Sequence, residues 1–238
     1  MLPEIIIDSP ANLADRLAAR VADDGLRALA SRGRFAVALP GGSVARAFFP
    51  RFARDAFDWS RVDFFWTDER AVPVTDPESN YGLARSLWLD QAAVPADRMH
   101  RLEADAADLE TAAARAGQDL VRCLGDPPRL DIVLLGVGPD GHVCSLFPGH
   151  VLLDEQHTWV GVETAAPKPP PRRLTLTMPT LTAAELVVVA GFGQAKAELI
   201  SAALHDPAST LPVARALRQA RRALVLLDRA AISRAHGG

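Results

Sequence analysis

The chain has 238 residues, 49% of them hydrophobic and 23% charged, with a formal net charge of −3. That balance supplies enough apolar side chain for the core of one large α/β domain, and the lack of a basic excess argues against nucleic-acid binding. The longest apolar runs, such as 186–191, are too short to span a bilayer, and the N-terminus shows no basic region followed by an apolar signal core, so a cytoplasmic protein without membrane contact is expected.

Glu4 to Ile7 reads as a strand, followed by Ser9 as an N-cap and Pro10 at the first position of a helix that runs to about Arg32. Leu13, Leu17 and Val21 recur at helical spacing and put one face of that helix on a sheet. Phe35 to Leu39 is a second strand. It ends in Pro40-Gly41-Gly42-Ser43, ahead of a helical run from about Val44 to Arg54. Strand, Gly-Gly-Ser, helix suits a phosphate: glycines let backbone N–H groups approach an anion, Ser43 adds a hydroxyl, and the helix N-terminus carries partial positive charge. The same residues also make an ordinary turn. Val62 to Thr67 is a third apolar strand, terminating in Asp68-Glu69-Arg70, and Ser79 is an N-cap for another helix. Arg70 suits an oxyanion or phosphate, while a surface ion pair among Asp68, Glu69 and Arg70 accounts for the same residues. Asp105 to Cys123 is an Ala-rich helix broken by Gly125-Asp126-Pro127-Pro128.

Asp131 to Leu135 is a short, nearly unbroken apolar segment, as in a strand buried on both faces of a parallel sheet. Gly136 and Gly138 then permit a sharp turn at its carboxyl end, where open α/β sheets bind ligands, and the turn delivers Asp140 and His142 together. A polar pair there faces a ligand, although a His that merely hydrogen-bonds its own loop is the alternative. Thr158 to Glu163 is another strand. After it, Pro167-Lys168-Pro169-Pro170-Pro171 forms a stiff arm, either a plain linker or a support for Arg173 ahead of the alternating strand Leu174 to Met178. Leu186 to Ala190 is a buried strand, and Gly191-Phe192-Gly193 passes into a helix with Lys196 in its first turn. A lysine there opposes the helix dipole unless an anion is bound. Arg215 to Arg222 reads as a solvated helix face and Ala223 to Leu227 as the last strand. Lys168 and Lys196 are the only lysines among 26 basic residues, which suggests sites where a compact ammonium is needed. Cys123 and Cys144 lack disulfide or zinc spacing and read as reduced thiols. No repeat or linker divides residues 1–238, so one α/β domain is expected.

Gly41-Gly42-Ser43, Asp68-Glu69-Arg70, Ser79-Asn80, Gly136-x-Gly138-x-Asp140-Gly141-His142 followed by Ser145-Leu146-Phe147-Pro148, and Pro167-Lys168-Pro169-Pro170-Pro171-x-Arg173-x-Thr175 stand in one order. That order resembles the 6-phosphogluconolactonase family in its bacterial cytosolic form, from about Phe35 to Leu199. The resemblance implies a Rossmann-like α/β sandwich with a mostly parallel central sheet flanked by helices. It also implies hydrolysis of 6-phospho-D-glucono-1,5-lactone in the oxidative pentose phosphate pathway, with no metal or organic cofactor. His142 would be the general base, Asp140 would orient it, and Arg70 would meet the developing oxyanion. Gly41, Gly42, Ser43, Asp68, Asn80, Arg173 and Lys196 would bind the substrate, a small-molecule sugar-phosphate lactone, in a protein expected to be a monomer. Lys168 reads as structural or peripheral, and the role of Arg172 is left open. Pro40, Val44-Ala45, Thr67 and Val143-Cys144 depart from the common pattern, and the missing Thr hydroxyl at position 44 removes one donor from the cradle. A glucosamine-6-phosphate deaminase is the rival enzyme, but its loop continues into an Asn-Glu-Pro element where this chain has Ser145-Leu146-Phe147-Pro148. A sugar-phosphate-sensing regulator is the other class, and a first strand at Glu4 leaves no DNA-binding appendage in view. His142, His150 and His157 match no common zinc-ligand spacing.

Overall fold

The computed structural model describes residues 2–232. The chain opens with β1 (Glu4–Ile7) and α1 (Pro10–Arg32), the latter capped by Ser9 Oγ, which accepts from Asn12 N, and ended by Gly33 at φ 72°. Then come β2 (Phe35–Leu39), α2 (Gly42–Phe52), β3 (Val62–Trp66), β4 (Asp68–Arg70) and α3 (Asn80–Ala84), which continues as a π-helical turn over Arg85–Leu89. β5 (Met99–His100), α4 (Leu109–Leu124), β6 (Ile132–Gly136), β7 (Val160–Glu163) and β8 (Arg173–Leu176) follow. The described chain closes with α5 (Met178–Ala183), β9 (Leu186–Gly191), α6 (Ala197–His205), α7 (Pro212–Gln219) and β10 (Ala223–Leu227).

Seven strands form a central sheet in the order β1-β10-β9-β6-β2-β3-β5, with every pair parallel. β2 and β9 are buried along their whole length, because helices cover both faces and leave no solvated side for polar residues. α1 lays Leu13, Leu17, Val21 and Leu29 against the sheet. The expected α/β architecture is therefore present, and six strands match their sequence-read positions to within a residue.

Three local expectations change. Asp108 accepts from Glu110 N and Thr111 N, so α4 starts at Leu109, not at Asp105. Met178 leaves the strand and opens α5, with Pro179 in its first turn. Asp68-Glu69-Arg70 is not the frayed end of β3 but a strand of a second, antiparallel sheet, β4-β8-β7. Its register sets Asp68 opposite Thr175 and Arg70 opposite Arg173.

The chain leaving β2 proceeds to β3 on one side, and the chain leaving β6 returns at β9 on the other, although β2 and β6 are neighbours. Connections that diverge from adjacent parallel strands open a crevice at their carboxyl ends, the usual ligand position in such sheets.

Candidate active site

A cavity of about 290 Å³ occupies that crevice. On its β2 side, Gly41 is the N-cap of α2 and offers no side-chain acceptor, so the first N–H groups of the helix are left for another partner. Gly42 has φ +64°, and a Cβ on Gly41 would fall 1.6 Å from Asn80 Oδ1. Glycine at both positions is thus set by backbone conformation and by close approach. Gly41, Gly42, Ser43, Asp68 and Arg70 line the cavity. Asn80 does not: it is buried behind Gly41, and its Nδ2 donates to the backbone oxygen (2.9 Å) and Oδ1 (3.0 Å) of Asp68. It shapes the wall from outside, in place of the substrate contact expected from the sequence.

Behind Asn80 stands Glu69, which the sequence reading passed over as one member of a charged cluster. Its carboxylate accepts from Arg70 N, Asn80 N, Tyr81 N and Ser79 Oγ at 2.7 to 3.0 Å. Burial pushes its pKa up against the pull of those hydrogen bonds. A carboxylate three residues past a buried strand, ahead of an Ser-Asn helix start, was the available signal.

On the β6 side, His142 Nδ1 lies 2.5 Å from Asp140 Oδ1. A carboxylate only accepts, so Nδ1 carries the proton and Nε2 presents its lone pair. Nε2 has no protein partner among the described residues, and His142 lines the cavity while Asp140 stands outside it. The loop is tight: Gly138 N donates to His142 O at 2.9 Å, and a Cβ on Gly138 would fall 2.1 Å from the imidazole. Burial holds the His142 pKa below its usual value despite the opposing charge of Asp140. Burial also pushes the Asp140 carboxyl up, but the charge and hydrogen bonds of His142 outweigh it and keep it below the usual carboxylate range. Near neutral pH the pair is a carboxylate beside a neutral imidazole, the form that can take a proton.

The cationic residues come from three further segments. Arg70 Nη1 donates to the carbonyl (3.0 Å) and carboxylate (3.1 Å) of Glu78, and its buried Nε has no partner among the described residues. The ion pair foreseen for Arg70 therefore involves Glu78 in place of Asp68 or Glu69. Arg173 is buried, donating to Pro170 O (3.0 Å), Lys168 O (2.8 Å) and Ser145 Oγ (3.4 Å). Ser145 in turn donates to Asp68 Oδ2 at 2.7 Å. Arg173 draws the proline arm inward and brings Lys168 to the cavity wall, which corrects the peripheral role expected of that lysine. Lys196 forms the N-cap of α6 after a 3₁₀ turn over Gln194–Lys196, one residue ahead of the helical first turn expected for it. Its Nζ donates to Val137 O. Burial lowers the Lys196 pKa and Lys168 adds to that, while Asp228 opposes it.

The sequence matches the family described as glucosamine-6-phosphate isomerases/6-phosphogluconolactonase over residues 8–226. The chain belongs to this family. Among its relatives, a 6-phosphogluconolactonase of Streptomyces coelicolor is 38% identical over 246 residues, covering 97% of this chain and 94% of the relative. One from Rattus norvegicus is 39% identical over 217 residues, covering 88% and 84%. The solved 6-phosphogluconolactonase of Trypanosoma cruzi superposes with a TM-score of 0.88 at 26% identity, over 100% of this chain and 99% of that one.

Two departures from the common glucosamine-6-phosphate isomerase/6-phosphogluconolactonase pattern now have a place. Val44 is buried at the start of α2, with its Cγ2 3.2 Å from where a Gly136 Cβ would stand, so it packs the floor of the crevice. Cys144 lines the cavity at φ 45°, and burial raises its thiol pKa far above the usual range.

Proposed function

We propose that the protein hydrolyses 6-phospho-D-glucono-1,5-lactone to 6-phospho-D-gluconate, a step of the oxidative pentose phosphate pathway. The observation that carries this reading is an imidazole with its Nδ1 held by Asp140 and its Nε2 without a partner among the described residues, in the same cavity as the uncapped N-terminus of α2. The names of its relatives support the same reaction. His142 Nε2 takes a proton from water as the oxygen attacks the lactone carbonyl carbon. Asp140 holds the ring and stabilises the imidazolium, and the tetrahedral oxyanion lies against Arg70, which lines the same cavity. When the intermediate collapses, the ring C–O bond breaks and the imidazolium returns its proton to the departing ring oxygen. General-base help of about 10² to 10⁴-fold plus positioning suffices for so activated an ester.

The phosphate sits on Gly41, Gly42 and Ser43 at the α2 N-terminus, with Lys196 adding charge. Arg173 and Asp68 hold the wall beside it, and Asn80 acts through Gly41 and Asp68. One continuous hydrophobic core joins the described elements, in support of a single domain over 1–238. No helix among the described residues is long and apolar enough to cross a membrane. Cys123 and Cys144 are free thiols, as suits a reducing compartment such as the cytosol; the monomeric state is part of the same proposal. The deciding experiment measures acid release from phosphorylated lactone made in situ, beside unphosphorylated gluconolactone and glucosamine-6-phosphate. Preferential turnover of the phosphorylated lactone is expected. Turnover of the amino sugar alone would overturn the reading.

A further inference from the structure

Lys196 is the one cationic side chain of the cavity whose hydrogen bond, among the described residues, reaches the segment from Val137 to His142, which leads from β6 to the imidazole. Its Nζ donates to Val137 O, at the start of that segment. The segment between Val137 and His142 is closed on itself. Gly138 N is bonded to His142 O at 2.9 Å, Gly141 N to Gly138 O at 3.1 Å, and Gly138 abuts the imidazole so closely that no Cβ fits. The lysine is anchored in turn: Lys196 N donates to Gly193 O at 3.2 Å, and Gly193 N donates to both oxygens of Asp228 at 3.0 and 3.1 Å. The guanidinium groups of the cavity do not reach that segment: Arg70 is bonded to Glu78, and Arg173 to the proline arm and to Ser145, on the far side of His142. An ammonium has three donors. With one on Val137 O, two are left for an anion on the α2 N-terminus.

We infer that Lys196 couples phosphate binding to the position of His142, so that a phosphate dianion on the cradle raises turnover and not only affinity. The inference rests on the proposed lactone hydrolysis and adds to it. A bound dianion fixes the ammonium, the ammonium fixes Val137 O, and the closed loop fixes the imidazole. Binding energy from a part of the substrate remote from the reacting carbon is then expressed in the rate of reaction.

If the coupling runs through the protein, the dianion need not be attached to the lactone. Hydrolysis of unphosphorylated gluconolactone, corrected for its spontaneous rate in a phosphate-free buffer, is followed with increasing inorganic phosphite. The wild-type rate should rise saturably, by about tenfold or more, over the range in which phosphite inhibits hydrolysis of the phosphorylated lactone. Lys196→Met should lower kcat on both lactones and lose the activation, whereas Lys196→Arg, which keeps donors within reach of Val137, should recover part of it at higher phosphite. Inhibition of the phosphorylated reaction without activation of the unphosphorylated one overturns the coupling, as does no effect of phosphite on either. A Lys196→Met enzyme altered only in KM for the phosphorylated lactone also overturns it. Failure of the wild type to hydrolyse the phosphorylated lactone instead removes the proposed function itself, and the coupling with it.

Discussion

In the proposed mechanism His142 and Asp140 work as a unit, and where they sit sets their charge state. Burial depresses the imidazole pKa, so the reactive base is present above that depressed value and is lost only as pH falls through it. The acid limb of kcat/KM should therefore lie below the usual histidine value of 6.5. Asp140 is what pulls the imidazole pKa back up. Asp140→Asn should shift that limb to still lower pH and reduce the plateau by about 10²-fold or more, because the ring loses its tautomer control and its counter-charge. An unmoved limb in the pH–rate profile would remove Asp140 from the mechanism. His142→Ala should lower kcat by about 10² to 10⁴-fold with little change in KM; near-normal turnover in a folded variant would end its role as base. Cys144, with its thiol pushed up by burial, should by contrast resist alkylation at neutral pH.

At the scale of the element, the floor of the proposed phosphate site is held by a helix start that stands outside the cavity. Glu69 gathers Ser79, Asn80 and Tyr81 at the head of α3, and Asn80 presses its amide oxygen against Gly41. Glu69→Gln keeps the shape but turns an amide N–H₂ toward groups that already donate. Leaving such donors unpaired costs about 1 to 3 kcal/mol, which corresponds to a melting point lower by about 3 to 10 °C. KM for the phosphorylated lactone should rise with it as the Gly41 wall loosens. A Glu69→Gln protein with wild-type melting and wild-type KM would show that α3 does not brace the cradle. This bracing explains part of what the sequence left unread. Gly41, Gly42 and His142 announce themselves locally, as glycines and a polar group at the ends of apolar strands. Asn80 also caught attention, but its neighbours decide whether it meets ligand or buttresses a wall, and those lie on β4 and α2.

For the whole molecule, the parallel sheet was legible because burial on both faces writes itself as continuous apolar runs, as in β2, β6 and β9. The small antiparallel sheet was not. β4 is Asp-Glu-Arg, and only its pairing with β8, a hundred residues further along, makes those charges strand and buries two of them. The same long-range joining draws Lys168 to the cavity and Lys196 to Val137, contacts that no local spacing encodes. A site assembled from so many segments should be firmed by what fills it. At a concentration near 100 Kd, 6-phosphogluconate should stabilise the fold by about 2.7 kcal/mol, a rise in melting point of roughly 5 to 10 °C. No rise at a concentration that inhibits the enzyme would mean the product does not prefer the folded site.

The outer strand β1 has a single neighbour in the central sheet, and that neighbour is β10. During synthesis, residues 4–7 leave the ribosome roughly two hundred residues ahead of their partner at 223–227. The growing polypeptide can join β2 to β3 and then to β6 while its leading strand waits without a docking place. Birth order and neighbour order are thus opposed at this edge, and of the seven strands of the sheet the earliest made is fitted last.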